Sequence, residues 1–483
     1  MFARNLKLLA KFKKAELRIQ NPFLKSSCYA QPVYKSFLNY KSFATASPRA
    51  NYAQDDDELI DTNDNIAINE AAYSDKLKQS EIETLKKAVM GMNTTQLGPH
   101  DFSRLLQELM MLDVTKIQND HLYRVLKFVG GTIYRKVHFE RSCVLIKKYL
   151  NELKSRSDIQ ALLANPVGAY LHRNDKRQFL LVEFPNIILS CSNMNLYDKD
   201  FFESYEKFIA YNDGEFASQN LEVKTLLSVY WSYKRLNRST PLLDRTLLRA
   251  LEIQENNFTD VNYLRLLWMV SINHQDYPVD YINNLVKNLL EKKSKKYYYS
   301  YNPKNLFQIL QLCYSLYPSL LKDTKYDPQT GNIVNRLVSY EEAVRDLEAN
   351  ENPYMVHFEE MYQLFAKCWM LTMKNASNTV SVLNQPKQVV YVETNNVGGS
   401  YFVFKPKIVQ ADSVFEKNVA ETLSAMKDIN YSTGNRLGLY EVDVIINPDT
   451  ILEINGQMHY LQDTQGEFIM NYQFKLRYIG DIF

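Results

Sequence analysis

Two stretches near the C-terminus carry side chains that can bind a cation or transfer a proton. LYEVDVIIN contains Asp443, and LEINGQMHYL contains Glu453 and His459. Apolar residues surround both acids, as in buried strands, and a Pro-Asp turn at Pro448 separates the two stretches. A carboxylate in a buried strand costs free energy unless it is hydrogen-bonded, paired with a positive charge or bound to a metal. The pair therefore indicates either a divalent-metal site with catalytic acids or a buried polar network.

Strand geometry predicts which of these side chains lie together. Alternate residues of a strand share a face, so Asp443 faces the same side as Ile445, and Glu453 the same side as Asn455. The Asn-Gly pair that starts at Asn455 is a turn signal that ends the second strand, and His459 follows it closely. We expect the two acids and the imidazole to lie near one another.

Residues 388–483 have the pattern of a small α/β domain. VVYVET and SYFVFKPKIV are β-rich, and the turn-forming residues NNVGG lie between them. SVFEKNVAETLSAM has a helical pattern, with Ser413 as the N-cap and Glu416 three residues later as a capping box. The two acid-bearing strands follow, and a final helix around FIMNYQFKLRYIG contains Lys475. The predicted order is strand, strand, helix, strand, strand, helix.

This tail resembles the RAP domain, an RNA-associated module at the C-terminus of helical-repeat proteins of mitochondria and chloroplasts. The residues that carry the resemblance are Asp443 of YEVDVII, Glu453, Gly456 and His459 of EINGQMH, and Lys475 and Gly480 of KLRYIG. The resemblance implies a restriction-endonuclease-like core, shared with PD-(D/E)xK nucleases and very-short-patch repair enzymes. In those enzymes such acids hold a divalent metal.

The tail departs from the family pattern in three places. Asn455 stands where family members commonly have a second acid, and no strand lysine is present to position an attacking water. RAP domains also usually continue past the glycine into another strand, whereas this sequence ends at Phe483; a missing edge strand, a strand from a partner and a truncated sequence are all open readings. We therefore expect a non-catalytic polar network in which Asn455, His459 and Lys475 contact RNA. In the nuclease alternative, Asp443 and Glu453 bind Mg²⁺, and His459 or Lys475 assists.

Two basic segments elsewhere are candidates for RNA contact. KKSKKYYYSYNPK places lysines, which neutralise phosphates, beside tyrosines, which stack on unpaired bases. Its candidate residues are Lys292, Lys293, Lys295, Lys296, Tyr297, Tyr298 and Tyr299. HRNDKR is a weaker cluster that contains Arg173 and Arg177. The alternative for the first segment is a solvated loop between two helices.

Residues 81–385 have a helical pattern almost throughout. Four stretches, which begin at Ile187, Leu226, Leu266 and Ile309, share an apolar helix followed by a polar turn, and the first three add a second amphipathic helix. Their starts lie about 40 residues apart, which is typical of a helical-hairpin solenoid. This pattern predicts an all-α repeat array in front of the α/β domain. The alternative is an irregular all-α domain.

The N-terminus differs in composition from the rest of the chain. Residues 1–49 contain ten lysines and arginines and one acid, Glu16. Apolar residues at helical spacing and a following KSFATASPRA complete the pattern of a mitochondrial transit peptide. The alternative is a basic arm that binds nucleic acid. An acidic DDDE then opens a polar linker, and we assign this linker to residues 50–80.

Charge and cysteine spacing narrow the function classes. The formal net charge is +2, and residues 1–49 contribute +9, so the remainder is mildly acidic and must bind RNA through local patches. No apolar run approaches the roughly 20 residues that span a bilayer. The five cysteines lack metal-ligand spacing, which indicates free thiols in a reducing compartment.

These patterns predict a protein of the mitochondrial matrix that binds organellar mRNA or rRNA. The expected role is RNA processing, RNA stability, ribosome assembly or translation, without catalysis and without a cofactor, with mitoribosomal or RNA-processing proteins as partners. The first alternative is a structural subunit of a large assembly such as the mitochondrial ribosome. The second alternative is a metal-dependent RNA endonuclease.

Overall fold

The computed structural model describes most of the chain after residue 72. The described residues are 73, 76–89, 98–292, 303–321, 325–327, 332–379, 389–392, 401–404, 414–426, 429, 431–446, 450–462, 464 and 466–482. The expected transit peptide, residues 1–49, and most of the expected linker, residues 50–80, lie outside them. Within the described residues, none of the helices combines the length and the apolar character that crossing a bilayer requires.

The described chain is mostly helical, with strands toward its C-terminus. The helices are α1 Gln79–Val89, α2 Pro99–Met111, α3 Asn119–Gly131, α4 Phe139–Ser155, α5 Ser157–Ala164, α6 Pro166–His172, α7 Asn174–Gln178, α8 Phe184–Asn193, α9 Lys199–Ile209, α10 Glu215–Asn220, α11 Val223–Arg235, α12 Pro241–Ile253, α13 Asp260–Ser271, α14 Val279–Lys292, α15 Pro303–Leu316, α16 Tyr340–Ala349, α17 Phe358–Thr379, α18 Val414–Ser424 and α19 Met470–Ile482. The strands are β1 Lys325–Asp327, β2 Asn332–Arg336, β3 Val389–Val392, β4 Tyr401–Phe404, β5 Tyr431–Leu437, β6 Tyr440–Ile446 and β7 Thr450–Leu452.

Shorter helical turns fill several of the connections. The 3₁₀ turns are Val114–Lys116, Ile133–Arg135, Tyr211–Gly214, Glu255–Asn257, His274–Asp276, Pro318–Leu321, Met355–His357 and Gln457–His459. A π-helical turn, Phe179–Glu183, joins α7 to α8 just before Pro185. Because proline has no amide hydrogen, a wider turn at this point is a common accommodation.

Local side chains fix where several helices begin. The side chain of Asp198 accepts a hydrogen bond from the first turn of α9, and Thr240, Thr259 and Ser339 cap α12, α13 and α16 in the same way. Such caps satisfy amides that the helix itself cannot pair. Pro241, at the first position of α12, adds a preset backbone angle.

The helices between residues 119 and 379 pack in an ordered row. Helices α3, α8, α11, α13, α15 and α17 each contact the next helix of this row. The helices α4, α9, α12 and α14 each follow one member of the row and pack back against it. Large side chains fill the spaces between neighbours; for example, the rings of Trp231 on α11 and Trp268 on α13 lie 4.6 Å apart. Pairs of helices that are adjacent in sequence therefore share one continuous core.

The strands form two antiparallel sheets. In the first, β4 pairs with both β2 and β3, and β1 pairs with β2. In the second, β6 lies between β5 and β7. Strands β3 and β4 occur where VVYVET and SYFVFKPKIV predict them, but the four-stranded sheet pairs them with the β1–β2 hairpin rather than with the acid-bearing strands.

The β1–β2 hairpin also interrupts the region predicted to be helical throughout. Residues 81–385 were expected to be helical almost throughout, as an all-α domain, and this prediction is wrong for Lys325–Asp327 and Asn332–Arg336, which pair in register from Lys325 with Val334 to Asp327 with Asn332. The segment reads KYDPQTGNIVNR, in which Asp-Pro and Gly-Asn are turn formers between short β-branched runs. Strands this short leave almost no periodic signal in a sequence.

Helix α19 covers the three-stranded sheet. The turn between β5 and β6 places Gly438 at φ +59°, where an added Cβ would also collide with the Tyr478 hydroxyl. That hydroxyl accepts a hydrogen bond from the Leu439 amide at 2.8 Å. Tyr478 is fully buried, and Phe474 and Ile479 on the same helix are nearly so. The β5–β6 turn and α19 therefore stabilise each other's position through Tyr478.

Helix α15 packs against this small sheet and α19. The Gln311 amide donates to the Tyr440 hydroxyl at 2.5 Å, and the Tyr314 hydroxyl donates to Asp481 at 2.6 Å. The rings of Tyr314 and Tyr478 lie 4.4 Å apart. Helix α15 therefore buries polar side chains on the face that the tail covers.

Replacement of Gly130 by alanine tests the packing of α3 against α8. An added Cβ would lie 2.6 Å from the Cα of Ser190 and 2.5 Å from its Cβ. We expect the Gly130→Ala variant to unfold more easily by about 1 to 2 kcal/mol, because the overlap outweighs the helix-propensity gain of about 1 kcal/mol. Urea unfolding followed by circular dichroism measures the difference.

The matched control is Gly456→Ala, since nothing lies within 4 Å of its added Cβ. This control should leave the unfolding midpoint nearly unchanged. Equal midpoints for Gly130→Ala and the wild type would contradict the close approach of α3 and α8.

Candidate functional site

The two acids lie opposite each other on neighbouring strands. The last registered pair of β6 and β7 is Val444 with Leu452, so Asp443 and Glu453 occupy the next step of the same ladder. The Ile454 amide donates to Oδ2 of Asp443 at 2.5 Å. The structure thus brings together the two acids that the sequence predicts to lie near each other. Like charges at such positions repel each other, so the arrangement needs a compensating partner.

Lys475 is that partner. Its Nζ lies 2.6 Å from Oε2 of Glu453, and the two side chains are 16% and 6% exposed. The lysine comes from α19, one turn after Tyr472, whose hydroxyl donates to the same oxygen at 3.3 Å. The other oxygen, Oε1, is buried and has no hydrogen-bond partner among the described residues. The carboxylate is therefore enclosed and paired on one side only.

Burial sets the protonation of Glu453. Loss of solvent raises its pKa to about 7, the Asp443 charge adds to the rise, and the Lys475 ammonium opposes it. Near neutral pH the carboxyl group is therefore close to half protonated. A group in this state can accept or donate a hydrogen bond, and its charge depends on its immediate neighbours.

Tyr472 links the acid to the turn that follows it. Its hydroxyl also contacts Oδ1 of Asn455, the residue that stands in place of the second acid of the family pattern. Its ring centre lies 5.8 Å from the Lys475 ammonium. Burial, followed by the charges of Glu453 and Asp443, raises the pKa of the Tyr472 phenol well above its usual range. Tyr472 is therefore a neutral donor at the centre of the cluster.

His459 completes the cluster as a neutral ring. Its ring centroid lies 4.3 Å from that of Tyr472. Burial, and next the positive charge of Lys475, lower the pKa of the imidazole to about 4. The loop holds the backbone of His459 on both sides, with its amide donating to Gly456 at 3.1 Å and its carbonyl accepting from Ile469 at 3.1 Å. At neutral pH His459 therefore cannot supply a positive charge to a phosphate.

Aromatic side chains extend the cluster toward solvent. The half-buried rings of Tyr460 and Phe468 stack at 4.6 Å with 25° between their planes, and Phe468 lies 5.0 Å from Tyr472. Sequence reasoning missed these three residues. The spacing of Tyr472 and Lys475, three apart on a helix, would have placed both on the face that meets Glu453.

The cluster does not fit a magnesium site. Magnesium requires several oxygen ligands in near-octahedral geometry, whereas an ammonium group contacts Oε2 of Glu453 and a backbone amide contacts Oδ2 of Asp443. In the part of the chain that the structure describes, no three His, Cys, Asp or Glu side chains converge as metal ligands. The four described cysteines, Cys143, Cys191, Cys313 and Cys368, are buried and form no disulfide.

Only part of the basic candidate set lies within the described residues. Arg173 and Arg177 are exposed near α7, and the Arg177 guanidinium lies 5.1 Å from the ring centre of Tyr170, whose carbonyl it also binds at 3.1 Å. Lys292 ends α14. The side chain of Lys292 and the whole of Lys293, Lys295, Lys296, Tyr297, Tyr298 and Tyr299 lie outside the described residues.

Comparison with known proteins adds no relative. No protein-family model matches the chain, and no curated protein matches it in sequence.

Replacement of Lys475 by methionine tests the ion pair through its pH dependence. Without the ammonium, Glu453 must bury an unpaired carboxylate at high pH, which costs about 3 to 5 kcal/mol. At pH 5.5, below the pKa of about 7, the carboxyl is largely protonated in the wild type too, so the loss should be small. Urea unfolding at pH 5.5, 7 and 8.5 measures the trend.

The control for this prediction is the double variant Glu453→Gln with Lys475→Met. A neutral amide has no charge to bury, so the double variant should regain much of the stability lost at pH 8.5. A loss for Lys475→Met that does not change with pH, or a double variant no more stable than the single one at pH 8.5, would contradict the pairing.

Proposed function

We propose that this chain is a non-catalytic RNA-binding protein of the mitochondrial matrix. In this proposal residues 119–379 are a helical-hairpin repeat array, and the C-terminal sheet with α19 is a RAP-like domain derived from a restriction-endonuclease-like core. Its RNA would be an organellar mRNA or rRNA, and its role RNA processing, stability, ribosome assembly or translation.

The observation that carries the proposal is the meeting of the residues that carry the resemblance. Asp443, Glu453, His459 and Lys475 come from two strands, a loop and the last helix, and they gather around Tyr472. The hairpin already places Asp443, Glu453 and His459 close together, so the informative member is Lys475, which comes from a separate helix and reaches Glu453 at 2.6 Å. This gathering supports a RAP-like interpretation of the tail.

The spacing of the row helices supports the repeat interpretation. The row members α8, α11, α13 and α15 begin at residues 184, 223, 260 and 303, which is close to the period of about 40 residues typical of helical-hairpin repeats. Each packs on the next, so each pair buries much of its apolar face against its neighbours in the row. Arrays of this kind present extended surfaces to long ligands such as single-stranded RNA.

The chemistry of the cluster favours binding over cleavage. Lys475 is held by Glu453, His459 is neutral, and Asn455 contributes an amide in place of a carboxylate. These groups and the half-buried ring of Tyr460 are suited to hydrogen bonds and stacking with an unpaired nucleotide. Phosphate contacts would fall to the basic segments of the helical region.

One observation favours the structural-subunit alternative. Met111, Val356 and Val144 are 84%, 70% and 51% exposed on the helical region. Exposed apolar side chains are common at protein interfaces, although isolated ones also occur on ordinary surfaces. A subunit of a large assembly would cover such positions with protein rather than RNA.

Salt-dependent RNA binding tests the proposal. Residues 50–483 should bind single-stranded mitochondrial transcripts with an affinity that falls as salt rises, because bound phosphates release counterions. Replacement of Lys292, Lys293, Lys295 and Lys296 by glutamine should make the slope of log K against log salt less negative by about 2 to 3, because four phosphate contacts are lost. Fluorescence anisotropy with labelled RNA between 50 and 300 mM salt, about the range over which such slopes are read, measures it.

The matched control removes four positive charges that already have acidic neighbours. Arg104, Lys116, Lys199 and Arg249 are exposed and lie within 4 Å of carboxylates on their own helices or turns. Their replacement by glutamine should change the slope much less than the lysine set does. Absence of binding even at low salt would refute RNA binding and favour the structural subunit.

Cleavage assays separate the binding protein from the endonuclease. We expect the purified chain to leave labelled transcripts intact in Mg²⁺ or Mn²⁺. Cleavage that disappears in both Asp443→Ala and Glu453→Ala would overturn the non-catalytic part of the proposal. Cleavage that persists in both variants would indicate a contaminating nuclease.

A further inference from the structure

Asn195 joins the helical row to the loop that carries His459. It follows α8, has no solvent exposure, and has φ +54°, a left-handed conformation that asparagine tolerates better than most residues. Its Nδ2 donates to the carbonyl oxygens of Met458 at 2.7 Å and Tyr460 at 3.2 Å. Its own carbonyl accepts from the Gln462 amide at 2.8 Å. The first two bonds hold the residues on either side of His459.

Arg235 fixes which way the Asn195 amide points. Its Nη2 lies 3.1 Å from Oδ1 of Asn195, and its Nε donates to the Ser192 carbonyl at 3.1 Å. A guanidinium group only donates hydrogen bonds, so the amide oxygen must face Arg235 and the NH₂ group must face the loop. Arg235 is 6% exposed, so the surrounding protein restricts its movement. The hydrogen-bonding capacity of Arg235 therefore determines which end of the Asn195 amide faces the loop.

The next pair of helices repeats the contact at a different place. Asn237 follows α11, has φ +52°, and donates to the Phe468 carbonyl at 3.0 Å. After α13, the Ile272 carbonyl accepts from Arg477 of α19 at 2.8 Å. The C-terminal ends of three successive row helices, α8, α11 and α13, therefore bind the C-terminal domain. The end of α8, which carries Asn195, is the one beside His459.

We propose that Asn195, oriented by Arg235, is a positioning residue that sets the His459 ring against Tyr472. The site is then composite: the helical row supplies the hold on the loop, and the C-terminal domain supplies the cluster. The ring placement is independent of any ligand, whereas its importance for RNA rests on the function proposed above. Asn237 supports the same loop from its other strand, because it binds the carbonyl of the Phe468–Ile469 peptide, whose amide donates to the His459 carbonyl.

The test follows the histidine ring by NMR in the full chain. Because His459 lies 4.3 Å from the Tyr472 centroid, its ring protons should carry a ring-current shift, and the His459→Gln variant assigns the signal. We expect Asn195→Asp, which turns an oxygen toward two carbonyls, to move this signal toward exposed-histidine values. Asn195→Gly, which keeps the left-handed backbone but lacks the amide, should do the same.

The controls are Asn212→Asp and Asn212→Gly, which should keep the wild-type His459 signal, because Asn212 has the same left-handed backbone at φ +54° after α9 but its side chain donates to Glu215 of α10 rather than to the C-terminal loop. A purely structural role for Asn195 would lower the unfolding midpoint but leave the native-state ring signal unchanged, and that result would overturn the proposal. If Asn195→Asp does not fold, the glycine variant decides in the same way. RNA affinity of the same samples is a separate readout: a wild type that binds no RNA refutes the proposed function and leaves the ring result valid.

Discussion

The enclosed carboxylate of Glu453 is the group on which the C-terminal architecture depends. A side chain that is 6% exposed and faces a second acid needs a positive partner, and α19 brings Lys475 to it at 2.6 Å. The same helix must also bring Tyr472 to the acid and Tyr478 to the β5–β6 turn. The contacts of Lys475, Tyr472 and Tyr478 together define the rotation and the height of the helix on the sheet.

Helix α19 uses its other face to join the row of helices. Phe474, Arg477 and Asp481 meet Tyr314 and the end of α13, while the loop before the helix is held by Asn195 and Asn237. Of the polar groups that bridge this seam, Asn195 is fully buried and must find a partner, whereas Arg477 and Asp481 make their contacts from exposed positions on α19. The cluster and the seam are thus two sides of the same element, so a change in one is expected to affect the other.

The sequence was informative wherever the signal is local. Helical periodicity predicted most of the region up to residue 379, and the tight turn between two predicted strands placed Asp443 near Glu453. It failed where pairing partners are distant: β3 and β4 could be recognised as strands, but nothing in them names β2 as their neighbour. Tyr472 was missed because a tyrosine on a helix is usually core. Asn195 was missed because its partners lie more than 260 positions away, and the lysine-tyrosine segment lies largely outside the described residues.

The three hydrogen-bonded contacts between the helical row and the C-terminal domain restrict bending of the row. In a stack of helix pairs each pair contacts mainly its neighbours, so small rotations at successive junctions add up to a large bend. Here the C-terminal domain forms hydrogen bonds with the ends of α8, α11 and α13 and also with α15. Bending of the row over that stretch would require at least one of these contacts to break, so the row should be stiffer there than in the helices that the C-terminal domain does not contact.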